Sequence, residues 1–112
     1  MNTCKLYYPS VTQDNKPIDQ AISNTIYKGL ISKLCQLNNG VSVYPVQGYY
    51  LTSAGKLIND DISLITSYTD KLSETINIMR EYSMMILKSL DQESVLIEVN
   101  NSMEFISSKN DN

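Results

Sequence analysis

The chain has 112 residues, enough for one hydrophobic core and too few for two. Its 42% hydrophobic and 19% charged residues exclude wholesale disorder. Its net charge of −3, with Lys and Arg scattered singly, leaves no concentrated cationic face and argues against nucleic acid as a partner.

Cys4 to Tyr8 has good strand propensity and is ended by Pro9. Nothing in Met1 to Lys5 has the shape of a signal peptide, and no apolar run approaches the ~20 residues needed to cross a bilayer. A cytoplasmic protein that does not engage a membrane is expected. Ser10 to Lys16 reads as a polar loop, and Pro17 suits the first turn of a helix. Ile18, Ile22, Ile26, Leu30, Leu34 and Leu37 then recur on one helical stripe, with Gly29 inside it placed for close approach to a sheet. Asn38-Asn39-Gly40 ends the helix.

Val41 to Thr52 is a strand with Val41, Val43, Tyr49 and Leu51 on one parity. Pro45 cannot donate to a ladder, which places this strand at a sheet edge or a bulge. Ser53 to Lys56 is a turn, and Leu57 to Tyr68 returns with Ile62, Leu64, Thr66 and Tyr68 alternating. A bend or bulge is expected at Asn59-Asp60-Asp61. Asp70 or Thr69 is the expected N-cap of a second helix along Leu72, Ile76, Met79, Ser83, Ile86 and Leu90. The last strand is Ser94 to Val99, and Met103 to Ile106 has the composition for a short additional one.

The order β-α-β-β-α-β is that of an α+β, ferredoxin-like fold: a four-stranded antiparallel sheet with two helices on one face. One domain is expected over residues 1–106, with a frayed polar tail over 107–112. Gly48-Tyr49-Tyr50-Leu51, the turn Gly55-Lys56-Leu57-Ile58, the strand ending before Asp70, and Gln92-Glu93-Ser94-Val95-Leu96 occur in an order and spacing that resembles an uncharacterised bacterial family, domain-of-unknown-function family 3574. That resemblance covers roughly residues 5–99. It implies a ferredoxin-like fold and no activity. Members of that family commonly look exported, and this chain departs from them by lacking a leader.

The chain has no histidine, which removes Ser-His-Asp and Cys-His catalysis within one chain. Its four glycines are isolated, so no phosphate loop is formed. Cys4 and Cys35 match no metal or redox spacing and read as reduced thiols, with pairing left open. No catalytic residue, metal ligand or cofactor is assigned. Beside Lys56, the Asp60 and Asp61 carboxylates could hold a hard cation through oxygen ligands, but adjacent strand residues face opposite ways, and a solvated hairpin end is favoured. Gln92, Glu93 and Ser94 could meet a ligand or bond the backbone locally. Eight Tyr against one Phe and no Trp is a skewed set, and Tyr44, Tyr49, Tyr50 and Tyr68 fall on strands. An apolar body with a polar tip suits a half-wet surface. Those four tyrosines with Gln92, Glu93 and Ser94 are the candidate ligand-binding residues.

The leading expectation is a binding protein that homodimerises through a tyrosine-rich sheet face and takes a small-molecule or protein ligand. An alternative is a small cofactor-independent enzyme with a sheet cavity near Tyr49 or Glu93. Another is a phage or mobile-element protein that sequesters a small molecule or a host protein, suggested by small size, acidity and the AT-rich residue usage.

Overall fold

The structure, a computed structural model, describes residues 1–107. The elements run β1 (Asn2–Tyr8), α1 (Gln20–Asn38), β2 (Ser42–Leu51), β3 (Leu57–Thr69), α2 (Leu72–Ser89), β4 (Ser94–Val99) and β5 (Ser102–Ser107). The strands form one antiparallel sheet in the order β2-β3-β1-β4-β5. The α+β class and the split βαβ order are as expected, but the sheet has five strands and not four. The expected tail lies outside the described residues apart from Ser107, which ends β5.

The fifth strand follows from its turn. Val99 pairs with Ser102, leaving Asn100 and Asn101 as a two-residue hairpin loop with φ of 49° and 75°. Two consecutive left-handed residues make the turn that matches strand twist, and Asn tolerates that conformation. A forked ion pair then ties β5 to α2: Arg80 donates to Glu104 at 2.7 and 3.2 Å.

Helix α1 begins later than Pro17. Asp19 is its N-cap, accepting from the Ile22 amide at 3.1 Å, while Pro17 pairs with Val11 in an isolated bridge. Its buried stripe is Ser23, Ile26, Leu30 and Leu34; Ile22 faces out. Gly29 serves the neighbouring helix and not the sheet, because a Cβ there would lie 2.9 Å from the Tyr82 hydroxyl of α2. Helix α2 has Lys71 at its cap with no side-chain cap bond, so neither Asp70 nor Thr69 is the N-cap. Thr69 instead accepts from the Lys71 amide at 2.7 Å.

The core lies between the helices and one sheet face. Cys4, Leu6 and Tyr8 of β1 alternate inward and meet Leu30, Leu34 and Ile65. On β3 the inward set is Ile65, Ser67 and Thr69, so Leu64 and Tyr68 take the face away from the helices. β2 is an edge strand, as Pro45 requires. Its helix-side parity, Val43, Tyr49 and Leu51, is exposed because β2 extends beyond the reach of the helices. The β2–β3 register is unbroken from Ser42–Thr66 to Leu51–Leu57, so no bulge forms at Asn59 to Asp61.

Candidate functional site

The β2–β3 hairpin runs past the end of β1, whose last partner on β3 is Ser63. There it meets the 9–17 segment and the α2–β4 connection. Ile58 and Asp60 share the parity of Leu64 and Tyr68, turned away from the helices, yet they are only 0% and 3% exposed. Asp60 Oδ1 accepts from the Ser10 amide at 2.8 Å and from Ser10 Oγ at 2.7 Å. Ser10 Oγ in turn accepts from the Asp61 amide at 3.2 Å. Among the described residues no donor reaches Asp60 Oδ2. The expected solvated hairpin end therefore holds for exposed Asp61 and fails for Asp60.

The connection after α2 closes the other side. Gln92 is buried, and its Nε2 donates to Val11 O at 2.7 Å and Leu90 O at 3.0 Å, which fixes the 9–17 segment. Both Glu93 oxygens accept from the Ser53 amide, at 3.1 and 3.3 Å. Lys56 Nζ donates to Asp14 O at 3.0 Å across the same mouth. Half-buried Tyr50 sits within the field of both acids: burial first, then Asp60 and Glu93, push its phenol up.

Of the sequence candidates, the structure thus brings together Tyr50 and Glu93, with Gln92 as a structural tie behind them and Ser94 opening β4. It separates the other tyrosines. Tyr44 is opposite Leu64, Tyr68 opposite Thr3, and Tyr50 opposite Ile58. From Ile58 to Tyr68 along β3 is ~33 Å at 3.3 Å per residue, so Tyr50 and Tyr68 cannot touch one small ligand. Tyr49 faces the other way and is 63% exposed. Asp60 and Ser10 are the residues that sequence reasoning underrated. Their signal is an acid on the apolar parity of an alternating strand.

One open groove of about 360 Å³ runs along the β2–β3 edge, lined by Val46, Gln47, Asp61 and Ile62 among others. A second, also about 360 Å³, lies between the helices at Ile22, Ile26 and Met85. Both cysteines are free. Among the described residues no cluster of three or more potential ligands could hold a metal ion, and no helix is long and apolar enough to cross a membrane.

Burial also raises the Cys4 thiol from its ordinary 9.0 and the Tyr8 phenol from 10.0, the latter despite its bond to Ser23. In the unfolded chain these groups and Tyr50 ionise at their ordinary values, so the unfolded state sheds protons first as pH rises. Stability is then full below that range and is lost as pH climbs through it. The urea midpoint is expected to be flat from neutrality to about pH 8.5 and to fall above it. A midpoint that rises with alkalinity would contradict this.

No family model and no curated protein sequence matches the chain. Two solved structures are similar to it. One is a phage SAM lyase in complex with S-methyl-5'-thioadenosine, with a TM-score of 0.67 and 14% identity over 96% of this chain and 90% of that one. The other is a phage SAM lyase in the apo state, with a TM-score of 0.67 and 16% identity over the same shares. At these identities the likeness is one of fold.

Proposed function

We propose that this chain is a small lyase that cleaves S-adenosylmethionine and releases S-methyl-5'-thioadenosine, with its site at Tyr50, Asp60 and Glu93. The observation that carries the reading is the nearly buried Asp60 carboxylate, whose Oδ2 takes no donor among the described residues, beside a half-buried tyrosine and a second acid. S-adenosylmethionine bears a sulfonium and an ammonium. A carboxylate in a partly desolvated site attracts such charges strongly, and a tyrosine face adds a cation–π contact.

The chemistry asks little of the side chains. The bond between sulfur and the four-carbon fragment breaks with its electron pair passing to sulfur. The leaving thioether is neutral and needs no proton from an acid. The fragment closes onto its own carboxylate oxygen or loses a proton to a protein carboxylate, so no water is consumed. Lack of histidine is no obstacle to such a step. The fold likeness to the phage enzymes supports the reading.

The test is incubation with S-adenosylmethionine up to about 1 mM, the top of the usual KM range, with the nucleoside product followed by chromatography and mass spectrometry. S-methyl-5'-thioadenosine accumulating in proportion to protein is expected. Tight binding without turnover would replace the enzyme reading with sequestration. Neither binding nor turnover would end both.

A further inference from the structure

Strand β1 lies between β3 and β4 and ends at Tyr8. Continuing both registers past that end sets Ser10 beside Asp61 on one side and Glu93 on the other. The chain fills this gap with side-chain bonds in place of a ladder. On the β3 side the Ser10 amide and Ser10 Oγ both donate to Asp60 Oδ1, at 2.8 and 2.7 Å. On the β4 side Val11 O accepts from the buried Gln92 Nε2 at 2.7 Å. Beyond them the segment turns back on itself. Thr12 N donates to Lys16 O at 2.7 Å, and Val11 bridges to Pro17. Buried Pro9 and Ile18 pin its two ends.

These bonds close a ring. Ser10 and Val11 are chain neighbours, and so are Gln92 and Glu93. Both Glu93 oxygens accept from the Ser53 amide in the β2–β3 turn. The circuit therefore runs from Asp60 to Ser10, across Val11 and Gln92 to Glu93, to Ser53, and back along the hairpin. Strands β3 and β4 do not pair, so this circuit sets the separation of the two acids. Half-buried Tyr50 lies within the field of both.

We propose that Ser10 is a positioning residue of this site: it does not touch substrate, and it turns one Asp60 oxygen toward the substrate's cationic groups. The role rests on the S-adenosylmethionine reading above. Ser10 Oγ accepts from the Asp61 amide at 3.2 Å, which leaves its own proton for Asp60. A hydroxyl 2.7 Å from a carboxylate oxygen is a strong, charge-assisted donor. The terminal torsion of an Asp side chain is otherwise soft. Two donors converging on Oδ1 fix the carboxylate plane, and Oδ2 takes no donor among the described residues. Satisfying a backbone amide needs no charge, and burying one is costly. A carboxylate at 3% exposure is therefore explained by a cationic ligand and not by the Ser10 amide alone.

Steady-state kinetics with S-adenosylmethionine test this role. Ser10→Ala keeps the backbone donor and the Asp60 charge, so attraction persists while alignment is lost. A fall in kcat of about tenfold is expected, with KM changed by less than about threefold. Ser10→Thr keeps a hydroxyl and should hold kcat within about twofold of wild type. In the Asp60→Asn background, Ser10→Ala should cost less than about twofold, because the charge to be aimed is gone. A role confined to docking the 9–17 segment would cost the same in both backgrounds. Circular dichroism checks that each variant folds. If Ser10→Ala does not, Ser10→Cys replaces it, and its weaker thiol donor should give the same pattern in smaller measure. A wild type without turnover overturns the S-adenosylmethionine reading and this role with it. With an active wild type, four results overturn the role alone: Ser10→Ala keeps its kcat, it raises only KM, Ser10→Thr falls as far, or the loss is equal beside Asp60→Asn.

Discussion

Asp60→Asn is expected to lower kcat/KM for S-adenosylmethionine by about 10²- to 10³-fold while leaving the fold nearly intact. Asparagine keeps an Oδ1 that can accept both Ser10 bonds, so the 9–17 segment stays docked. The loss of a charge-assisted contact costs about 1 kcal/mol of stability. What changes is the other oxygen, the one without a donor, which becomes a neutral NH₂ group. A cationic substrate then meets a donor where it had met an acceptor. Asp60→Ala is a different experiment: it strands the Ser10 amide and hydroxyl, and a loss of about 2–4 kcal/mol is expected together with the activity. Urea midpoints and steady-state kinetics on both variants separate the two effects. Activity of Asp60→Asn within threefold of wild type would remove Asp60 from the site and leave its structural role standing. Tyr50→Phe should change little, because the ring face survives, whereas Tyr50→Ala should cost about tenfold.

The helices and the order of elements were legible because they depend on local periodicity. Leu30, Leu34, Met79 and Ile86 repeat at helical spacing, and all four are buried. Pro45 marked an edge for a reason that needs no tertiary knowledge. The fifth strand was half legible: Met103 to Ile106 had the composition, but the Asn100-Asn101 turn that fixes its register was not weighed. On β2 the shared parity of Val43, Tyr49 and Leu51 is legible and holds in the register, but their exposure is not. Alternation says which residues share a face and says nothing of how far the covering helices extend.

The candidate site was harder for the same reason. Asp60 looks like a solvated turn residue from its neighbours Asn59 and Asp61. Its burial comes from Ser10, fifty positions away in sequence, and from the overhang of β3 beyond β1. No local pattern carries that distance. The tyrosines misled in the opposite direction: their abundance suggested one surface, and the register distributes them. Tyr8 is in the core with its hydroxyl 3.0 Å from Ser23 O and its ring edge-on to Tyr27, Tyr44 lies on the open face, and Tyr50 is at the hairpin mouth. What unites a binding surface is position on the sheet, and residue type only narrows the choice.

The largest effect on stability outside the apolar core is expected at Asn38, the last residue of α1. Its Nδ2 donates to Ser67 Oγ at 2.9 Å and to Thr75 Oγ1 at 3.0 Å, and its Oδ1 accepts from Thr69 Oγ1 at 2.7 Å. Thr75 Oγ1 can itself donate to Lys71 O at 2.9 Å, and Thr69 Oγ1 accepts from the Lys71 amide. One amide thus joins the end of α1, the end of β3 and the start of α2. Ser67, Thr69 and Thr75 are each at most 2% exposed, so removing Asn38 leaves their hydroxyls short of partners with little access to water. Asn38→Ala should therefore destabilise by about 3 kcal/mol, more than a single exposed hydrogen bond is worth. Asn38→Asp should be no rescue despite its shape, because it keeps the acceptor for Thr69 and loses both donors. The triple variant Ser67→Ala, Thr69→Val and Thr75→Val removes the stranded groups along with their need. Adding Asn38→Leu to it should cost less than Asn38→Ala costs in the native background. Urea unfolding of the four proteins measures this. Equal costs in both backgrounds would mean that Asn38 acts through its backbone at the helix end and not through the network.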